Sequence, residues 1–332
     1  MNKKTFLLAL SLFLLCFGFT GSVSNAAELE GTLTLYTSQP EPDAQALIEA
    51  FNRKHPKVTV NLFRSGTEEV ISKVMAERQA NALQADVMLV ADAVTFEGLK
   101  AEGLLLSYAS PELEGIPSDY YDAENTYTGT KIMSTGIIYN TDRVKTAPKS
   151  FADLTKPEVK DELTMPSPLY SGAAAYNLSI MTRTEGLGWD FYRALKENGV
   201  AVGKGNGGVK TAVTAGDKAY GIIVDYMAIR AKQEGAPVEF VYPEEGSLSI
   251  TEPIGILKET KNPELAKAFV DFILSKDGQE ATAAIGYTPI KAGVAAPEGF
   301  RSAEEIQNLS YPIEVLVENR EADKKAFADM FN

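Results

Sequence analysis

The sequence is poor in cysteine, in histidine and in long apolar runs, and each shortage excludes a class of function. The one cysteine among 332 residues, Cys16, lies in an apolar run near the N-terminus. The rest of the chain therefore has no thiol for a disulfide or for nucleophilic catalysis. The one histidine, His55, sits in a Lys-His-Pro turn at a helix end. With no Gly-x-Ser-x-Gly elbow and no imidazole near Ser171, a secreted hydrolase lacks its base, and no enzymatic activity is expected. The sequence shows no internal repeat, no low-complexity tract and no block of like charge. Its 45 acidic residues outnumber 32 Lys and Arg for a net charge of −13, so the basic stripe that nucleic acid requires is missing. An acidic balance does not exclude a small anion, which a few local N–H donors can hold.

The apolar run from Phe6 to Phe19 follows Lys3 and Lys4 and precedes the small residues Ser24, Ala26 and Ala27. These are the three parts of a cleaved signal peptide, placed at residues 1–26. A membrane anchor needs about 20 apolar residues, and a lipidation site wants a small residue where Leu15 precedes Cys16. The expected product is exported to the periplasm, and loss of Lys3 and Lys4 takes its net charge to about −15.

In the remainder, strand-like and helix-like runs alternate. Thr32 to Tyr36, Val58 to Phe63 and Ala85 to Val90 read as strands, interleaved with helices over Ala44 to Arg53, Glu68 to Gln79 and Thr95 to Glu102. Val70, Ile71, Val74 and Met75 share one face of the second helix. This is a βαβαβ unit with a parallel sheet. Later strands are expected at Ile137 to Tyr139, Ala219 to Val224, Val238 to Tyr242 and Ile254 to Lys258. Helices are expected at Ala173 to Met181, Gly188 to Glu197, Val209 to Thr214, Pro263 to Leu274 and Gly278 to Ala284. The expected architecture is α/β, two lobes around a cleft. Lobe 1 covers residues 27–128 with a return segment at about 250–290, lobe 2 covers 129–249, and 291–332 forms a C-terminal helical segment. The first strand runs into Thr37-Ser38-Gln39, so hydroxyls and free backbone N–H groups face whatever binds at its end.

Four motifs carry a family resemblance across nearly the whole chain: Ala85-Asp86-Val87, Gly136-Ile-Ile-Tyr139-Asn140, Ser171-Gly172-Ala173, and Phe269 through Gly278-Gln279. The sequence resembles the family 1 extracellular solute-binding proteins of ABC importers, in the branch of the ferric-ion, hexose-phosphate and aminoethylphosphonate binders. The resemblance implies a type II-like periplasmic-binding-protein fold, lobes joined by crossing hinge strands, and ligand captured by closure. It also implies a monomer that partners a small anionic solute and an inner-membrane ABC permease, with no cofactor.

In ferric binders of this branch, Glu68 falls where a ligating carboxylate sits and Tyr226 matches the first of an adjacent tyrosine pair. The second tyrosine is Met227 here, and Pro40 stands where a histidine is expected. A thioether substitutes poorly for a hard oxygen ligand of Fe³⁺. Direct iron capture through Glu68 and Tyr226 thus stands as the alternative reading, completed by other tyrosines such as Tyr170 or by a chelating anion. The anion half of the family site is better kept: the resemblance assigns Ser171, Gly172 and Ala173 to a phosphate or carbonate cradle, with Asn206 as a further contact. Ser65, Gly66 and Thr67 repeat that chemistry before another helix, and Ser38 closes the first strand. In the hexose-phosphate relatives an Asp-Tyr pair and a later Glu-Gly contact the organic part of the ligand, which Asp225, Tyr226 and Glu245-Gly246 match. Val224 replaces the histidine found there. A carboxylate accepts from sugar hydroxyls and pairs with an amine alike, so a sugar phosphate and an aminophosphonate both stay open. Each motif also has a bland reading: Ser-Gly or Gly-Thr before a helix as a plain N-cap, Tyr226 as a core tyrosine, Glu244 and Glu245 as a solvated loop.

Overall fold

The computed structural model describes residues 28–331. The expected signal peptide, with Cys16, lies outside the described residues. The opening alternation is present as β1 (Gly31–Thr37), α1 (Glu41–Lys54), β2 (Val58–Arg64), α2 (Thr67–Gln79), β3 (Val87–Leu89) and α3 (Ala93–Ala101). β1 pairs in parallel with β2 on one side and β3 on the other. After β4 (Leu105–Leu106) and short helical turns comes β5 (Thr128–Asn140). A second α/β set follows: β6 (Leu163–Pro166), α4 (Gly172–Met181), α5 (Gly188–Glu197), β7 (Ala201–Gly203), α6 (Asn206–Thr214), β8 (Tyr220–Val224), α7 (Asp225–Gln233) and β9 (Val238–Val241). β10 (Leu248–Leu257) returns, and α8 (Pro263–Leu274), α9 (Lys276–Ile285), β11 (Thr288–Pro289) and α10 (Ile313–Phe331) complete the chain.

The strands share one sheet in the order β2-β1-β3-β10-β5-β8-β6-β7. β5 and β10 run antiparallel through its centre and link the two halves. Ile254 and Ile256 of β10 lie against β3, Leu248 lies opposite Thr135 of β5, and Thr135 in turn pairs with Val224 of β8. On each side, parallel strands end facing the centre: β1 and β2 at Ser38 and Ser65, β6, β7 and β8 at the starts of α4, α6 and α7. This edge is where parallel α/β sheets present their ligand contacts.

Separate apolar clusters hold the halves. Leu33 and Leu35 of β1 pack with Leu47 and Phe51 of α1 and with Phe269 and Phe272 of α8. Phe51 meets those two rings edge-on at 5.1 and 5.6 Å. In the second half, Leu163, Leu178, Phe191 and Tyr192 form a cluster that Leu316 and Phe327 of α10 join. Full burial of each such side chain stabilises by about 1.5–3 kcal/mol. Of the expected α2 face, Val70 and Val74 are buried, while Ile71 and Met75 are partly covered.

The strands depart from expectation mainly in length. β5 runs over thirteen residues, although only Ile137 to Tyr139 reads as apolar, because its Thr128-Gly-Thr-Lys131 half looks like a loop. It is buried because β10 and β11 flank it, and Lys131 is tolerated there through an ion pair with Glu252 at 2.5 Å. β10 likewise begins at Leu248 rather than Ile254, since Ser249, Thr251, Glu252 and Pro253 mask it. β6 and β7 are too short for a period to show. Of residues 291–332, only Ile313–Phe331 is helical among the described residues.

Candidate functional site

A cavity of about 270 Å³ lies at the edge where the strand ends of both halves converge. From the first half it receives Ser38 after β1, Arg64 at the end of β2, Gly66 and Thr67 at the start of α2, and Ala91 after β3. From the second half come Tyr170 to Ala173 at the start of α4, Lys204 to Gly208 at the start of α6, and Val224, Tyr226 and Met227 around the start of α7. Met133 of β5 and Glu252 of β10 complete the wall.

Four helices thus open toward one space. The first N–H groups of a helix have no partner within it and carry a partial positive charge, so their convergence favours negative charge in the space between them. Glycine makes the convergence possible. A Cβ on Gly172 would stand 2.4 Å from the Ala91 carbonyl oxygen and 2.8 Å from Thr67 Oγ1, and one on Gly66 would stand 2.6 Å from the Tyr170 ring. The two turns therefore come within contact of each other across the cleft. Ser171 caps α4, its Oγ accepting from Ala174 N at 3.3 Å. Asn206 ties three elements together: its Nδ2 donates to Ser171 Oγ at 3.4 Å and its Oδ1 accepts from Val224 N at 3.2 Å.

Two cations add to this field. Arg64 is braced by donating from Nε to the Gln39 carbonyl at 2.8 Å, from Nη2 to the Ser38 carbonyl at 3.3 Å, and from Nη1 to the Tyr170 hydroxyl at 3.4 Å. Lys204 pairs with Glu69 at 3.0 Å and rides over the Tyr170 ring. Glu252 is the one carboxylate in the cavity wall, and Lys131 behind it balances its charge.

The residues singled out from sequence divide accordingly. Ser38, Gly66, Thr67, Ser171, Gly172, Ala173, Asn206 and Tyr226 all line the cavity. Ser65, Asp225 and Glu245 do not. The Ser65 hydroxyl is taken up by Glu69. Glu245 accepts from Phe151 N and Ala152 N, each at 3.1 Å, and so caps a short helical turn. Asp225 is buried behind the Val224 turn, accepting from Tyr226 N at 2.8 Å and from the Tyr242 hydroxyl at 3.4 Å. Burial pushes its carboxyl up to about 7 despite those hydrogen bonds.

Of the two residues of the alternative iron reading, Tyr226 lines the cavity and Glu68 does not. Glu68 lies outside the cavity wall, held by Arg320 at 2.9 Å and Lys324 at 2.7 Å. Tyr226 lies against Tyr287 and under the Arg230 guanidinium. Burial, with the Glu252 charge adding to it, pushes its phenol up.

Arg64, Lys204, Met133 and Glu252 were not singled out from sequence. A Lys-Gly-Asn-Gly-Gly run at 204–208 before an apolar periodic stretch was the available signal for Lys204. Glu252 had a fainter one, a charge beside Pro253 between Ile250 and the apolar Ile254 to Leu257 run.

Residues 83–312 match the bacterial extracellular solute-binding proteins, and the chain belongs to that family. Its members are the periplasmic substrate-binding components of ABC importers, taking small solutes and working with a membrane permease. A Salmonella typhimurium protein provisionally named a 2-aminoethylphosphonate-binding periplasmic protein is 27% identical over 82% of this chain and 86% of its own. A Serratia marcescens Fe(3+)-binding periplasmic protein is 26% identical over 77% of this chain and 78% of its own. Among solved structures, the periplasmic binding protein AfuA from Actinobacillus pleuropneumoniae, with exogenous fructose-6-phosphate bound, superposes with a TM-score of 0.84. It shares 25% identity and the match covers 91% of this chain and 98% of AfuA. The fold described above is that of the two-lobed periplasmic binding proteins.

Proposed function

We propose that this protein captures a small organic phosphate or phosphonate between its lobes and passes it, as a monomer, to an ABC permease. The lobes are residues 27–128 with about 250–290, and residues 129–249, hinged on β5 and β10. The carrying observation is the meeting of the Gly66-Thr67 and Ser171-Gly172-Ala173 turns at one cavity that also holds Arg64 and Lys204. Each helix terminus contributes about 0.3–1 kcal/mol to a bound anion, more where it is buried, and two cations suit a doubly charged head. The names of the Salmonella relative and of the AfuA ligand, a phosphonate and a sugar phosphate, fall in the same class. The cavity wall offers the hydroxyls of Ser38, Thr67 and Ser171 without an imidazole to activate them, which supports binding rather than turnover. The ferric reading, to which the Serratia relative points, has less behind it because Glu68 is committed to Arg320 and Lys324.

Gly172→Asp is the direct test, since a side chain there drives against the Ala91 carbonyl and Thr67, forces the two turns apart and adds a negative charge beside them. Isothermal titration with organic phosphates and phosphonates is expected to show at least a hundredfold weaker binding than the unmodified chain. Unchanged affinity would remove the α4 turn from the site.

A further inference from the structure

The anion cradle accounts for one part of the ligand, and the cavity wall holds one group it does not explain. Glu252 is 2% exposed and is the sole carboxylate among the lining residues. It occupies a break in the β10 ladder: the register against β5 shifts between Thr251 and Pro253. An irregularity of this kind turns a side chain out of the regular alternation and is often found beside binding sites. The side chain is held in place. Its Oε1 accepts from Ser38 Oγ at 3.2 Å, its Oε2 stands 2.5 Å from Lys131 Nζ, and its backbone carbonyl accepts from Thr130 Oγ1 at 2.7 Å. A carboxylate oxygen has about two acceptor positions; Oε2 is enclosed beside Lys131, so the capacity left toward the cavity is that of Oε1, which accepts from Ser38 alone. A carboxylate and an ionised phosphate oxygen are both acceptors and cannot hydrogen-bond each other, so whatever meets Glu252 belongs to another part of the ligand.

We infer that Glu252 is a specificity-determining residue: it selects, among small phosphates and phosphonates, those whose organic part carries a hydrogen-bond donor, an ammonium or a hydroxyl. This rests on the function proposed above and assigns the organic end of the ligand to Glu252, in place of Asp225 and Glu245, which lie outside the wall. Lys131 balances the Glu252 charge, so the acceptor suits a neutral hydroxyl as well as an ammonium. A ligand without a donor would leave a buried acceptor desolvated and unpaired, which is the source of strong discrimination at such sites.

The test is calorimetric titration of the purified protein with 2-aminoethylphosphonate, 2-hydroxyethylphosphonate, ethylphosphonate, fructose 6-phosphate and inorganic phosphate. Ethylphosphonate is expected to bind at least tenfold more weakly than the better of its amino and hydroxy counterparts, and which of those wins identifies the donor. The double variant Glu252→Leu/Lys131→Met removes the ion pair as a unit and so strands no buried charge. In it, the tightest donor-bearing ligand should lose at least tenfold in affinity while inorganic phosphate is unaffected. Equal binding of ethylphosphonate and its donor-bearing counterparts, or undiminished affinity in a double variant that melts cooperatively, would overturn the role of Glu252. Absence of binding by every phosphate and phosphonate would instead overturn the anion reading, and this inference with it.

Discussion

Single residues decide which parts of this site were readable. Ser171 and Gly172 could be picked out because a small hydroxyl residue and a glycine before a helix have a local reason to be there, and the family resemblance said which such turns matter. Glu245 and Asp225 were also assigned by resemblance, yet neither lines the cavity: one carboxylate went to backbone N–H groups of a neighbouring turn, the other beneath the β8 end. Glu252 stayed hidden because its meaning depends on a ladder irregularity and on Lys131, which lies 121 positions earlier in the chain. Asp225 carries a pH dependence of its own. Its carboxyl is raised by burial from 3.8 to about 7, so the folded state favours the protonated form. The corresponding stability is fully present below about pH 4 and is lost as pH rises through about 7. The displacement corresponds to on the order of 4 kcal/mol. Urea titrations should therefore show Asp225→Asn gaining stability relative to the unmodified chain between pH 4 and pH 8. A difference that does not change with pH would mean that Asp225 is charged in the fold.

At the scale of elements, helices and core strands with a clear apolar period were legible close to their observed ends, as α8 over Pro263–Leu274 and α5 over Gly188–Glu197 show. β5 and β10 were only partly legible, because they are buried by neighbouring strands rather than by their own hydrophobicity. α10 was readable as helical but not as a bridge. Its Leu316 and Phe327 pack into the second-half cluster, and Asp323 takes Arg183 and the Ser179 hydroxyl of α4. From the same helix, Arg320 reaches Asp92 at the start of α3 and Glu68 at the start of α2, where Lys324 joins it. The helix thereby fastens the starts of α2 and α3 to α4, next to the Gly66-Thr67 and Ser171-Gly172 turns. Removing one partner from a buried ion pair leaves the others uncompensated, at a cost of about 3–5 kcal/mol. Arg320→Ala should lower the stability by that amount in chemical denaturation. A loss below about 1 kcal/mol, the range of exposed pairs, would show that the network is solvated.

The whole molecule combines a net charge of −13 with a cavity whose wall carries Arg64, Lys204 and four helix starts. Local donors rather than overall charge set what such a site accepts. The alternation of strands and helices made the α/β class legible, and the resemblance supplied the two lobes. That β5 and β10 pair along the centre of the sheet, and that Glu68 belongs to the α10 network, emerged only from contacts between residues distant in sequence. Contacts join the first-half helices to the second half at more than one place: Glu68 N to the Tyr170 carbonyl at 3.4 Å, and the Arg230 to Asp43 pair at 2.9 Å beside Tyr287. A ligand that bridges the lobes should therefore stabilise the fold by mass action, by about 2.7 kcal/mol at a hundredfold excess over its dissociation constant. The most direct measurement is a thermal-shift titration of protein stripped of ligand by unfolding and refolding. It compares 2-aminoethylphosphonate, fructose 6-phosphate, inorganic phosphate, and Fe³⁺ with and without phosphate. A rise in melting temperature with an organic phosphate or phosphonate in the absence of iron is the expected result. A rise with Fe³⁺ alone, and with none of the organic anions, would contradict it and make this site a metal centre.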